Sequence, residues 1–119
     1  MAQLPNAGNA VLDDAKITKY LLNDAHPQDQ GKAAFFMLFG FILSNWPELK
    51  RALLDHPRNN PVVGKTNFPY GEIYEVSCSI ASPDGRNPCI RSFWATEPHS
   101  TDPKFITAYP TPARGRGGP

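Results

Sequence analysis

"GEIYEVSCSIASPDGRNPCIRSFWATE", residues 71–97, decides the fold. From Gly71 onward the side chains alternate, the period of two that a half-buried strand requires. Tyr74, Val76, Cys78 and Ile80 fall on one face; Ile73, Glu75, Ser77 and Ser79 fall on the other. "SPDG" at 82–85 puts proline second and glycine fourth in a turn, the type I preference. "NPCIRSFWATE" then returns as the partner strand, with Arg91 and Phe93 on one face and Ile90, Ser92 and Trp94 on the other. The stretch is a hairpin. "KFITAYP", ended by Pro110, is a further strand whose alternation groups Phe105, Thr107 and Tyr109 against Ile106 and Ala108. A short strand around Val62–Asn67 carries a weaker pattern.

Upstream the period changes. "LDDAKITKYLLND" reads as a helix, with Asp13 as N-cap, Asp14 in the first turn, and Ile17, Tyr20 and Leu21 as one buried stripe. His26-Pro27 stops it, because a residue before proline is pushed out of the helical region. A second helix is predicted from Gly31 or Lys32 to Leu43. Phe35, Phe36, Leu38, Phe39, Phe41, Ile42 and Leu43 nearly encircle it, which predicts a central helix. "SNWPELKRALLDHP" predicts a third, capped by Ser44 or Asn45, buried through Leu49, Leu53 and Leu54, and ended by His56-Pro57. The fold class is α+β: three N-terminal helices followed by an antiparallel sheet of three to four strands. Residues 1–110 form one domain, and 111–119, "TPARGRGGP", have nothing apolar to bury and are expected to be disordered.

A chain of 119 residues suits one core. Twelve basic against eleven acidic residues give a net charge of +1, and Arg114 and Arg116 lie in the tail, so the body alone is at −1. That near-neutral surface excludes a general nucleic-acid binder and leaves only local attraction to a polyanion. No apolar run reaches membrane-spanning length, and the N-terminus lacks the layout of a signal peptide. Cys78 and Cys89 fall on adjacent strands where pairing is geometrically open. Two small buried thiols of an intracellular protein are the expectation. No zinc, phosphate-loop, GxSxG, HExxH or dinucleotide pattern occurs, so neither a metal nor a cofactor is expected. His56 and His99 are read as lying in proline-rich loops without ligand partners.

Two groups of residues carry chemistry. Lys32 stands at the positive end of a helix, where a cation is disfavoured. Either its stem packs along the helix and its charge reaches water, or Lys32, His26 and the free N–H groups of the helix start form an anion pocket. His26 also has a plain reading as a local cap before Pro27. The second group is Arg91 in mid-strand. If it shares its face with Thr107 and Tyr109, the sheet displays a guanidinium, a hydroxyl and a phenol together. That set suits a phosphodiester and the charge developed when it is cleaved, with Phe93 or Tyr109 stacking on a base. The bland reading is an ordinary exposed sheet face.

"LPNAGNAVLDDAKITKYLLNDAHPQDQGKAAFF", "SPDGRNPCIRSFWATE" and "KFITAYP" resemble, over residues 4–110, the family called domain of unknown function 6883. The order LPNA, K-x-x-x-Y-L-L-N, H-P-x-x-x-G-K-A-x-F-F, S-P-D-G, R-S-x-W and T-A-Y-P carries the resemblance. It implies a small bacterial toxin-like domain, of toxin–antitoxin pairs or of polymorphic toxins. The order of helices and sheet also looks like the barnase, EndoU, colicin and RelE-like group of metal-independent ribonucleases. The family motifs match at His26, Lys32, Arg91, Trp94, Thr107 and Tyr109. The implied site then has His26, Lys32, Arg91, Thr107 and Tyr109 as catalytic residues and Phe93 and Trp94 as substrate-binding residues, with no metal. RNA and a cognate antitoxin or immunity protein are the implied partners. The implied location is cytoplasmic, or secreted when the domain belongs to a toxin delivery system. The alternative is a non-enzymatic protein-binding module, an immunity or adaptor protein.

Overall fold

The four strands of the computed structural model pair in chain order as an antiparallel meander: β1 (Val62–Phe68), β2 (Gly71–Ser79), β3 (Cys89–Glu97) and β4 (Ser100–Pro110). The structure describes residues 3–22, 30–69, 71–97 and 100–111. The β2–β3 hairpin follows the alternation in its sequence. Tyr74, Val76, Ile90, Ser92 and Trp94 are buried on the inner face, and the Gly85 N–H closes the turn on the Ser82 carbonyl at 3.0 Å. Gly71, at φ +145°, opens β2 where only glycine fits: a Cβ there would meet the Thr96 carbonyl oxygen at 1.8 Å.

β4 departs from simple alternation. Its register against β3 shifts between Phe93 and Trp94, so that Thr107 faces Phe93 while Phe105 faces Trp94, leaving Ile106 as the extra residue of a bulge. Phe105 is therefore buried, against the Trp94 ring at 5.3 Å, and does not share a face with Thr107 and Tyr109 as the alternation had grouped them. One inserted residue reverses the sidedness of the strand beyond it. The Ile106 carbonyl accepts a hydrogen bond from Lys16 Nζ at 3.2 Å.

The helices cover the inner face, giving an α+β fold with one long helix. Three comparable helices are not what forms. α1 (Asp14–Lys16) is capped as expected, the Asp13 carboxylate accepting from the Ala15 N–H at 2.9 Å. It continues as a π-helical turn, Ile17–Leu21, that buries Ile17 and Leu21. α2 (Gln30–Leu38) stops well before Leu43. Gly40, at φ +101°, ends it in a Schellman motif: Phe41 N–H donates to the Phe36 carbonyl at 3.1 Å and Gly40 N–H to Met37 at 3.0 Å. The Phe36 and Phe41 rings, 6.0 Å apart, seal the cap. A central helix was expected, but Leu38, Ile42 and Leu43 are about half exposed or more. The apolar run is split by Gly40 into a short helix and an extended lead, so its residues no longer share one helical axis.

α3 (Trp46–Asn59) runs through the His56-Pro57 stop. Pro57 costs the last turn one hydrogen bond, and tertiary contacts hold that turn in place. Pro57 is buried, and the Asn60 amide donates to the carbonyls of His56 at 3.0 Å and Ser79 at 2.9 Å. His56 is thus a helical, buried residue and not a loop histidine. The two cysteines also differ from expectation. Cys78 and Cys89 form a disulfide, their Cα atoms 4.4 Å apart across β2 and β3. Leu4 is buried as part of the core, and Val11 pairs in parallel with Lys104, so the N-terminal lead runs along β4.

Candidate functional site

The outer face of the sheet carries polar and aromatic groups that the core does not absorb. Pairing across β3 and β4 sets Arg91 opposite Tyr109 and Phe93 opposite Thr107, while β2 brings Ser77 opposite Arg91 and Glu75 opposite Phe93. The Arg91 guanidinium lies 5.7 Å from the Phe93 ring centre and 5.6 Å from that of Tyr109, and the two rings meet edge to face at 5.7 Å. Its Nη1 is 3.8 Å from Glu75 Oε2, an ion pair too long for a hydrogen bond. Its Nε is buried and has no hydrogen-bond partner among the described residues. Beside it, Ile73, Phe93, Ile106, Thr107 and Tyr109 line a cavity of about 260 Å³.

A second cluster sits directly behind, on the inner face. His56 Nε2 is 2.7 Å from the Cys78 carbonyl, and Nδ1 is 2.8 Å from Ser92 Oγ. A carbonyl only accepts, so Nε2 carries the proton and Nδ1 accepts from the Ser92 hydroxyl. Ser92 Oγ in turn accepts from Trp94 Nε1 at 2.8 Å. Burial holds the His56 pKa below the ordinary histidine value, against the smaller opposing pull of the Cys78 carbonyl. The ring is neutral and ties α3 to β2 and β3 beneath Arg91.

The sequence-predicted residues divide accordingly. Arg91, Phe93, Thr107 and Tyr109 come together on one face. Trp94 is fully buried on the opposite face, where it packs against Phe105 and the helices and presents nothing to a ligand. Lys32 is in the first turn of α2, in the layer that covers the inner face. His26, His99 and residues 112–119 lie outside the described residues. Sequence reasoning passed over three residues. Glu75 was visible on the same face as Ile73, but its approach to Arg91 is diagonal and depends on register. Lys16 depends on the bulge. His56 continues the spacing of Leu49 and Leu53 on α3, a helical signal that Pro57 obscured. Among the described residues, no three His, Cys, Asp or Glu side chains are grouped to hold a metal ion. No helix among them is long and apolar enough to cross a membrane.

The family model for Domain of unknown function (DUF6883) matches residues 3–112. No curated protein matches the chain. Among solved structures, a chain of a contact-dependent growth inhibition toxin–immunity protein complex from Klebsiella pneumoniae 342 is similar. It is 21% identical, with a TM-score of 0.68 over 89% of this chain and 97% of that one. At that identity the likeness is one of fold.

Proposed function

Starting from the premise that the chain belongs to the DUF6883 family, we propose that it is a metal-independent endoribonuclease toxin, or toxin-like domain, of a toxin–antitoxin or polymorphic toxin system. The observation that carries this reading is Arg91, whose side chain is 39% exposed on the outer sheet face with its guanidinium beside the Phe93 and Tyr109 rings. A guanidinium so placed, paired with the Glu75 carboxylate at 3.8 Å without a hydrogen bond, is preorganised to hold an incoming phosphate. The Glu75 carboxylate beside it adds a proton acceptor.

In the proposed reaction the 2′-hydroxyl of RNA attacks the adjacent phosphorus and the 5′-oxygen leaves, giving a 2′,3′-cyclic phosphate. Arg91 holds the phosphate and offsets its added charge, and Thr107 orients it. Glu75 or His26 takes the 2′-hydroxyl proton, and Tyr109 or His26 delivers one to the leaving oxygen. The fold shared with a chain of a toxin–immunity complex supports a cognate protein partner. The Cys78–Cys89 disulfide supports passage through an oxidising compartment, as in secreted delivery. The test is cleavage of RNA in the presence of a chelator. Arg91→Ala is expected to lower the rate about 10²–10³-fold with an unchanged unfolding midpoint. Equal rates in wild type and variant would overturn the assignment.

One observation favours a second reading, a non-enzymatic binding module such as an immunity or adaptor protein. Leu38, Ile42 and Leu43, 64%, 48% and 47% exposed, leave apolar surface at the end of α2. Under that reading the wild-type protein cleaves no RNA and expresses readily without a partner.

A further inference from the structure

The cavity beside Arg91 has walls that a phosphate site does not need. Its lining, from Ile73, Phe93, Ile106, Thr107 and Tyr109, is almost wholly apolar. Phe93 and Tyr109 are also the rings on which the guanidinium lies, so cavity and cation share two walls. Ile106 is in the wall because of the β4 bulge, the kind of irregularity that re-aims a side chain at a site. Lys16, hydrogen-bonded to the Ile106 carbonyl, places a second cation at that end.

We infer that this cavity is the subsite for a nucleobase, that of the nucleotide whose phosphate Arg91 holds. The inference rests on the ribonuclease reading and deepens it. A flat heteroaromatic ring presents a π face to Phe93 or Tyr109 and apolar contact to Ile73 and Ile106, with its own phosphate within reach of the guanidinium. An apolar side chain from a protein partner would fill the same volume and bring no anion for the exposed part of the Arg91 side chain. With a lining that is almost wholly apolar, hydrogen bonding does not single out one base. Stacking area then sets the preference, and purines bind more tightly than pyrimidines.

The test follows the methyl resonances of Ile73, Ile106 and Thr107 in the full chain on titration with adenosine 3′-monophosphate, uridine 3′-monophosphate and ribose 5-phosphate. The nucleotides are expected to shift all three methyls, the purine at lower concentration, and ribose 5-phosphate to leave Ile73 and Ile106 unmoved. Ile73→Trp, which fills the cavity, is expected to weaken the purine nucleotide about 10-fold and to leave ribose 5-phosphate binding unchanged. Ile106→Ala, which enlarges it, serves if the first variant does not fold and is expected to weaken the purine in the same way.

Nucleotide and ribose 5-phosphate binding equally would overturn the subsite. So would methyls that shift only on adding N-acetylphenylalaninamide, which would mark the face as a protein-binding surface. A wild-type chain that binds nucleotides in the cavity but cleaves no RNA overturns the ribonuclease reading and keeps the base site. RNA cleavage that Arg91→Ala abolishes and Ile73→Trp leaves unchanged does the reverse.

Discussion

The two faces of β3 treat their polar groups in opposite ways. On the inner face, the Trp94 N–H, the Ser92 hydroxyl and both His56 nitrogens have partners at 2.7–2.8 Å. One residue away along the same strand, Arg91 Nε is buried with none, and its carboxylate neighbour stands 3.8 Å off. A buried donor without an acceptor costs about 1–3 kcal/mol, so folding stability alone favours the first arrangement and not the second. The inner network is explained by what it holds together. The outer cluster has no comparable set of hydrogen bonds, and places where local rules are broken in this way mark function more often than structure.

The sharpest way to break this contrast is Trp94→Ala. As a fully buried ring packed on Phe105, Trp94 is expected to contribute stability, and its loss to cost about 3–5 kcal/mol in denaturant unfolding. A residue that stacked on substrate from the outer face would cost the fold within about 0.5 kcal/mol and lower RNA binding instead. Next in size is the disulfide, which belongs to neither face. Closing a loop between cysteines 11 residues apart removes unfolded-state entropy worth about 3 kcal/mol in the chain-entropy account. Cys78→Ser with Cys89→Ser, or reduction of the wild type, is expected to lower the unfolding free energy by that order. An unchanged midpoint under reducing conditions would show that the strand pairing alone fixes the hairpin.

The same contrast separates what could be read in the sequence from what could not. The β2–β3 hairpin was legible because its alternation is unbroken and its turn residues are strong, and so the shared face of Arg91 and Phe93 was legible too. That Thr107 and Tyr109 share this face was conditional on a cross-strand register the sequence does not carry, and Phe105 does not belong with them, since a bulge leaves no mark in composition. The helical half was read from apolar density, which does not report where a chain changes direction. Gly40 was the missed signal in "FFMLFGF", and Pro57 was an over-read one because burial and the Asn60 side chain outweigh its lost hydrogen bond. The pairing of Cys78 with Cys89 was open from their strands, and the preference for free thiols rested on an assumed compartment rather than on geometry. Trp94 shows the limit of a motif: R-S-x-W names two residues, and the pleat sends one out and the other in.

A pH series tests the inner face more gently. The His56 pKa is lowered in the folded chain by burial, so between its folded and unfolded values the unfolded chain binds the extra proton. Stability is then full above about pH 6.5, the ordinary histidine value, and falls as the pH drops below it, by at most one proton's slope. His56→Gln is expected to be less stable at neutral pH and to lose that histidine-dependent part of the slope. A wild-type slope identical to that of the variant would mean that the ring is not held neutral between Cys78 and Ser92.

The smallest effect on folding is expected from Glu75→Gln, and there the two faces are best told apart. The Arg91–Glu75 pair is partly exposed, 39% and 28% by side chain, and 3.8 Å long. Pairs of that kind contribute about 0–1 kcal/mol, and glutamine keeps the shape of the side chain, so the unfolding midpoint should move little. RNA cleavage should fall about 10²–10⁴-fold if the carboxylate takes the 2′-hydroxyl proton, since an amide cannot act as that base. A variant that loses activity while keeping its stability would assign Glu75 to the chemistry. One that keeps both would leave Glu75 a neighbour that orients Arg91, and the base would have to come from His26. A variant that loses stability and activity together would make the pair a structural tie, and the outer face would then resemble the inner one after all.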